Sequence, residues 1–500
     1  MLALYILVAV TCVLVVKYLR HFLEHRRTYS QLPGDNDLHW LLGNIHKYPG
    51  FNEAGLKFDF GKSEEFKYFH RIWVGPFLAV IQCYHPESIR KVINSSAPKP
   101  RNLSLFSSSY DMGVSWLGEG LILTNGARWS RNRRLLTPAF HFDILKNYMK
   151  VYNSCVSLMQ GQILEASKAG KSFDLQSLVH KCTLDVILCC AFSYQSNCQT
   201  EEEASEYINA IEELQVRWSE RTLNPLQYIE FMYKLTPGGR RFYHLCDIAH
   251  REAEGLIAKR QKELAGNPDA VGQRKVRDFL DTLLTARDEE GKGLTPLEIR
   301  DEVDTFMFAG HDTTASGIMW TLVSLSQHPD YQDQVYREVK AVLGDRKELQ
   351  WEDLSELPFT TQCIKETLRL HSTVPVVERS LTEDITINGH TLPAGSRVAL
   401  QLWMLHHNPH VWDEPFKFKP DRFHPNKVAK MDPYQFVPFS AGSRNCIGQN
   451  FAMNEMKVTV AKIINDFQLR PDADRVIEHK TSVTMKASEG AYMYATPRTD

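Results

Sequence analysis

The run TPLEIRDEVDTFMFAGHDTTASGIMWTLVSLSQHP at positions 295–329 is the longest helix candidate in the chain. Thr295 as N-cap, Pro296 at the first helical position and Glu298 three residues on form a capping box. His328-Pro329 supplies the stop. The middle of this helix is costly. AGHDTT (309–314) sets a glycine, an acid and two threonines in succession. Glycine costs about 1 kcal/mol inside a helix, threonine hydroxyls divert backbone hydrogen bonds, and an acid buried without a partner costs more. Either Asp312 faces solvent and the threonines are ordinary helix residues, or the segment carries chemistry.

The pattern from about 127 to 290 is mostly helical, with long charged amphipathic segments such as EYINAIEELQVRWSERT. Strands are few. RIWVGPFLAVIQC (71–83) reads as a hairpin broken at Gly75-Pro76, and DITINGHTL (384–392) as a strand pair about Asn388-Gly389. SRVALQLWML (396–405) reads as a further buried strand. The fold class is therefore mainly α with small β-sheets. No linker, repeat or low-complexity run divides the chain. A net charge of −2 argues against nucleic acid as a partner. The ten cysteines form no disulfide framework or C-x-x-C pattern, which favours a reducing compartment.

The first residues, MLALYILVAVTCVLVVKYL, carry one charge, Lys17, and Arg20, Arg26 and Arg27 follow. A cleaved signal wants a basic start and a small-residue cleavage site, and both are missing. The reading is a single-span membrane anchor with its basic linker over 1–30, and a cytoplasmic body over 31–500. LPGD (32–35) is the turn between them. With that topology the glycosylation patterns at Asn94 and Asn102 stay unmodified.

Several short units are weak alone. Glu366 and Arg369 in KETLRL stand one helical turn apart, as do Trp129 and Arg133 in WSRNRRLL. Arg422 lies in FKFKPDRF, and FSAGSRNCIGQNFA (439–452) sets Cys446 among two glycines, an arginine and a phenylalanine. Taken in order, W-x-x-x-R, A-G-x-D-T-T, E-x-x-R, F-x-P-x-R-F and F-x-x-G-x-R-x-C-x-G resemble the cytochrome P450 family of haem-thiolate monooxygenases over nearly the whole chain. Strings such as WVGP, LLTPAFHFDILKNYM and FVPFSAGSRNCIGQNFAMNEMKV are similar to its family 4, the fatty-acid and eicosanoid ω-hydroxylase branch.

The resemblance implies the cytochrome P450 fold, with haem b held by Cys446 as axial thiolate to the iron. Phe439, Gly442 and Gly448 would shape the loop against the porphyrin. Trp129, Arg133, Arg379 and Arg444 would bind the propionates. Glu366, Arg369 and Arg422 would form a buried structural triad. Asp312 and Thr313 become an acid–alcohol pair that delivers protons, and Gly310 gives the helix room to bulge around dioxygen. The implied reaction is hydroxylation of long-chain fatty acids or related lipids, at or near the terminal carbon. Electrons come from NADPH through NADPH–cytochrome P450 reductase, with cytochrome b5 as a second donor, at the endoplasmic reticulum membrane. One residue departs from the branch. Many members carry glutamate before G-H-D-T-T, able to esterify a haem methyl; here Ala309 cannot, so the haem is expected to be non-covalent and the regiochemistry less constrained. A haem-thiolate isomerase or dehydratase of lipid peroxides, and a haem carrier without turnover, are the alternatives. His406, His407 and His410 lack a completing cysteine or acid for zinc. The basic stretch KVAKMDP (427–433), with Arg131 and Arg134, is a candidate docking patch for an acidic redox partner.

Overall fold

The structure, a computed structural model, describes residues 1–101, 107–200, 203–266 and 278–498. Asn102 lies outside these residues. The helices that position the site are α1 (Leu2–Ser30), α2 (Gly126–Leu136), α3 (Leu175–Phe192), α4 (Glu203–Thr222), α5 (Pro296–Ser326), α6 (Pro358–His371) and α7 (Gln449–Asp466).

Helix α5 starts as the sequence predicts. Thr295 Oγ1 accepts from Glu298 N at 3.2 Å and Thr295 N donates to Glu298 Oε2 at 2.8 Å. It runs unbroken through AGHDTT to Ser326, and Pro329 opens the next helix. Helices α3, α6 and α7 pack around it. Almost every side chain from Val303 to Ser326 is buried, which is why the run is apolar on more than one face. The expected bulge at Gly310 is replaced by close packing: a Cβ there would stand 2.6 Å from Ile187 Cδ1 on α3. The glycine lets the two helices approach.

The strands used below are β1 (Phe69–Val74), β2 (Leu78–Cys83), β3 (Val376–Ser380), β4 (Ile385–Ile387), β5 (His390–Leu392), β6 (Arg397–Gln401), β7 (His479–Thr481) and β8 (Met485–Ala487). One four-stranded sheet has the order β1-β2-β6-β3, with β2 and β6 parallel and the other neighbours antiparallel. Asn388 and Gly389 take φ of 46° and 79° between β4 and β5, as a type I′ turn requires. The strand expected over 396–405 stops at Gln401, and Leu402–His407 is helical. The carbonyl of His406 there accepts from Arg369 at 2.8 Å, so this short helix is part of the packing around α6.

Helix α1 extends beyond the apolar run, straight through its basic residues. The apolar window in Leu4–Ser30 has a mean hydropathy of 1.9 with none of it buried, so it is long and apolar enough to cross a bilayer. Helix α3 passes the same test but is largely buried, as a core helix. The end of α1 is docked on the body. The Arg26 guanidinium lies 4.4 Å over Trp73, Phe22 meets Phe77 at 5.3 Å, and the buried Tyr29 hydroxyl bonds Ser396 at 2.8 Å.

Candidate active site

Between α5 and the loop before α7 lies an internal cavity of about 410 Å³, within the range of small-molecule sites. Its walls are mostly apolar, with Leu117, Leu121, Phe306, Phe308, Val377 and Phe451 among them. Cys446 forms part of one wall and Ala309, Gly310, Thr313 and Thr314 part of another. The thiol has accessible surface although the cavity is internal, so it faces the cavity.

The cysteine loop is shaped by two left-handed residues, Ser440 at φ 58° and Gly442 at φ 66°. A Cβ on Gly442 would also meet the Ile93 carbonyl oxygen at 3.1 Å. Cys446 N donates to Phe439 O at 2.9 Å, closing the loop. A Cβ on Gly448 would stand 4.0 Å from Cys446 Sγ, so glycine keeps that flank of the sulfur clear. Burial raises the thiol's pKa, while the Gly448 N–H and the Arg133 charge pull it the other way.

Four cations gather around the cavity. Arg133 donates to Asn445 O at 3.0 Å and Asn445 Oδ1 at 2.9 Å. Arg444 donates to Thr124 O and Asn125 Oδ1 at 2.8 and 2.7 Å and stacks over Trp129 at 4.0 Å. Arg379 is buried beside them, bonded to the Glu378 carbonyl at 2.9 Å, and is not itself in the cavity wall. Lys99, which the sequence reading missed, lines the cavity and stacks over Tyr110 at 4.6 Å. None of the four makes an ion pair among the described residues. Burial, then Arg379 and Arg444, push the Lys99 pKa well down; burial and the neighbouring arginines bring Arg444 from 12.5 to about 10. A partly desolvated, self-repelling cluster beside a cavity suits a dianionic ligand. A thiol facing the cavity and apolar walls complete a donor set that fits haem.

Glu366, Arg369 and Arg422 are brought together as expected. Arg369 donates Nε and Nη2 to Glu366 at 2.8 Å each, and Arg422 Nε lies 3.3 Å from Glu366 Oε1. Lys419 N adds a bond at 2.9 Å, and the remaining Arg369 nitrogen goes to carbonyls of His406 and Pro415. The pair is fully buried and fully bonded, the condition under which a buried ion pair holds.

Thr313 and Asp312 part company. Thr313 lines the cavity, with Oγ1 donating to Ala309 O at 2.8 Å. Asp312 does not line it. Its carboxylate turns to Lys486 Nζ at 2.8 Å, Gln215 Nε2 at 3.1 Å and Thr484 Oγ1 at 2.5 Å. The expected contact of this acid with the oxygen pocket is thus indirect, because the ammonium of Lys486 and two hydrogen bonds hold it elsewhere. Arg131 and Arg134, candidates for docking a partner, are paired with Asp288 at 2.6 Å and Glu289 at 2.9 Å. His406 and His407 are buried, each with a ring nitrogen in a hydrogen bond, to Ser372 and to the Trp403 carbonyl.

The sequence model of the cytochrome P450 family matches residues 33–493, so the chain belongs to that family of haem-thiolate monooxygenases. Its similarity is to family 4. It is 41% identical to the rat protein cytochrome P450 4F6 over 92% of this chain and 86% of that one. It is 43% identical to human cytochrome P450 4F2, covering 85% and 83%. It is 40% identical to the human ultra-long-chain fatty acid omega-hydroxylase, covering 94% and 90%.

Proposed function

We propose that this chain hydroxylates long-chain fatty acids or eicosanoids, taking electrons from NADPH through cytochrome P450 reductase or cytochrome b5 at the endoplasmic reticulum membrane. The observation that carries the reading is the cavity, apolar over most of its wall, with Cys446 and Thr313 both exposed to it. Relatives named as leukotriene-B4 and ultra-long-chain fatty acid omega-hydroxylases support the same substrate class.

Haem, once bound, supplies the activation of dioxygen. The chain's own residues do the rest. Cys446 would hold the metal, and Arg133, Arg379, Arg444 and Lys99 would neutralise the propionates, with Trp129 supporting Arg444. Leu117, Leu121, Phe306 and Phe308 exclude water from the apolar substrate. Thr313 Oγ1 is held by the Ala309 carbonyl and offers its oxygen to the cavity. Ala309 has no carboxyl group to esterify a haem methyl, so haem b is held without a covalent bond to the chain.

Product identification after incubation with C12–C20 acids and eicosanoids, with reductase and NADPH, tests the substrate class. Hydroxylated lipid is expected; NADPH consumption stimulated by none of them would refute it. Acidified organic solvent should extract the haem completely, and haem left on the polypeptide would overturn the non-covalent reading.

A further inference from the structure

Asp312 sits in a buried polar cluster that the family motifs do not describe. Lys486 on β8 is 3% exposed and Asp312 0%. His180 Nδ1 lies 3.7 Å from Asp312 Oδ1, and the His311 ring stands 6.1 Å from that of His180. Tyr207 packs on His311 at 5.8 Å. His180, His311 and Asp312 bring possible ligand atoms within 4.8 Å of one another, which raises a metal site. The ammonium argues against it. Lys486 already occupies Asp312 Oδ1 at 2.8 Å, and a divalent ion beside a buried ammonium would be repelled. Burial alone would raise the Asp312 carboxyl; Lys486, with the two histidines, outweighs it and holds the group well below its ordinary range. Burial is the largest influence on each histidine and lowers both.

The other oxygen points to a different device. Asp312 Oδ2 accepts from Thr484 Oγ1, and Thr484 lies in the cavity wall together with Thr481, Ser482 and Val483. Among the described residues Thr484 is the one that both lines the cavity and bonds the Asp312 carboxylate through its side chain. Its single hydroxyl proton has a second acceptor, Gln215 Oε1 at 2.8 Å, which is already served by Thr484 N at 3.1 Å. That hydroxyl can therefore turn without leaving a buried acceptor bare. The turn is pinned at its root: Met485 O accepts from Ser316 Oγ at 2.5 Å, and Met485 N donates to Thr373 O at 2.9 Å.

We propose that the β7–β8 hairpin completes the proton supply of this enzyme, with Lys486 as a positioning residue for Asp312 and the Thr484 hydroxyl as the relay from Asp312 into the cavity. The Thr484 O–H breaks toward an acceptor in the cavity. It re-forms with a proton that reaches it through Asp312, whose carboxylate ends each turn as it began, still paired with the Lys486 ammonium. The proposal rests on the monooxygenase reading above.

Four variants test it: Thr484→Val, Thr484→Ser, Lys486→Met and Asp312→Asn/Lys486→Met, each assayed for haem loading by its carbonyl spectrum. In Thr484→Val, product formed per NADPH falls about a hundredfold and hydrogen peroxide rises, the low side of what placed proton transfer contributes. Thr484→Ser restores coupling to within about twofold, since it keeps the hydroxyl. Wild-type coupling in Thr484→Val, with the wild-type enzyme active, overturns the relay. Lys486→Met lowers both coupling and the Tm of the loaded enzyme, and adding Asp312→Asn recovers the Tm but not the coupling. An unchanged Tm in Lys486→Met overturns the positioning role whether or not a substrate is found, whereas a wild type inactive on every lipid fails the substrate reading alone. If Lys486→Met does not load haem, the two Thr484 variants decide.

Discussion

Replacing Arg444 by leucine should affect two observables in opposite directions. In the wild type the guanidinium bonds only neutral acceptors, Thr124 O and Asn125 Oδ1, and burial, then Arg379 and Arg133, lower its pKa. A displacement from 12.5 to about 10, at roughly 1.4 kcal/mol per pK unit, corresponds to about 3 kcal/mol against the charged form. Solvent contact of a side chain that is not fully buried reduces this to about 1–2 kcal/mol. Leucine removes that cost of burial and repulsion, so the haem-stripped protein gains about 1–2 kcal/mol in denaturant unfolding. Haem retention goes the other way. The variant loses a charge-assisted bond of about 1.5–3 kcal/mol and the relief that an anion brings to the cluster. Together these come to about 3–4 kcal/mol, or on the order of a hundredfold or more in haem affinity. Transfer of haem to excess apomyoglobin, followed at the Soret band, measures the release. Release at the wild-type rate would refute the assignment of this cluster to the propionates, and a less stable stripped protein would refute the repulsion argument.

Glu366→Gln leaves Arg369 and Arg422 facing an amide in a fully buried site; a loss of about 3–5 kcal/mol is expected, read as a shortened half-life of thermal inactivation. An unchanged half-life would contradict it. Thr313→Ala should lower product per NADPH and raise hydrogen peroxide with little change in substrate binding, because one hydroxyl and one methyl group are lost from a largely apolar cavity wall. Glu302 is fully buried, and burial outweighs its bonds from Asn132 and Leu121 N to raise its pKa from 4.5 to about 7. The folded state therefore binds a proton that the unfolded state has released, and stability falls as pH rises from about 4.5 to about 7. Glu302→Gln should remove up to about 1.4 kcal/mol per pH unit of that slope in chemical denaturation at stepped pH; an unaltered slope would rule it out.

The sequence discloses what depends on local pattern. The caps of α5, the Asn388-Gly389 turn and the i,i+3 geometry of Glu366 and Arg369 are each written within a few residues. The strand over 396–405 was over-extended because its apolar residues suit a buried strand or a buried helix equally, and the packing of Leu402–His407 against α6 decided it. Long-range partners leave no such trace. Lys99 sits in SSAPKPRN with nothing to mark it as a cavity residue, and only the fold sets it beside Arg379 and Arg444. Lys486 is likewise one lysine among many until β8 is laid against α5. Asp312 was legible as a costly acid, but the direction of its carboxylate was not.

The docking of α1 gives the molecule a fixed posture. Arg26 over Trp73, Phe22 against Phe77 and Tyr29 on Ser396 make the root of the apolar helix part of the same solid as the four-stranded sheet, since Trp73 belongs to β1 and Ser396 immediately precedes β6. A mast welded to its hull cannot swivel. Whatever angle the helix takes in a bilayer is passed on to the body, and with it the bearing of the cavity toward the lipid surface.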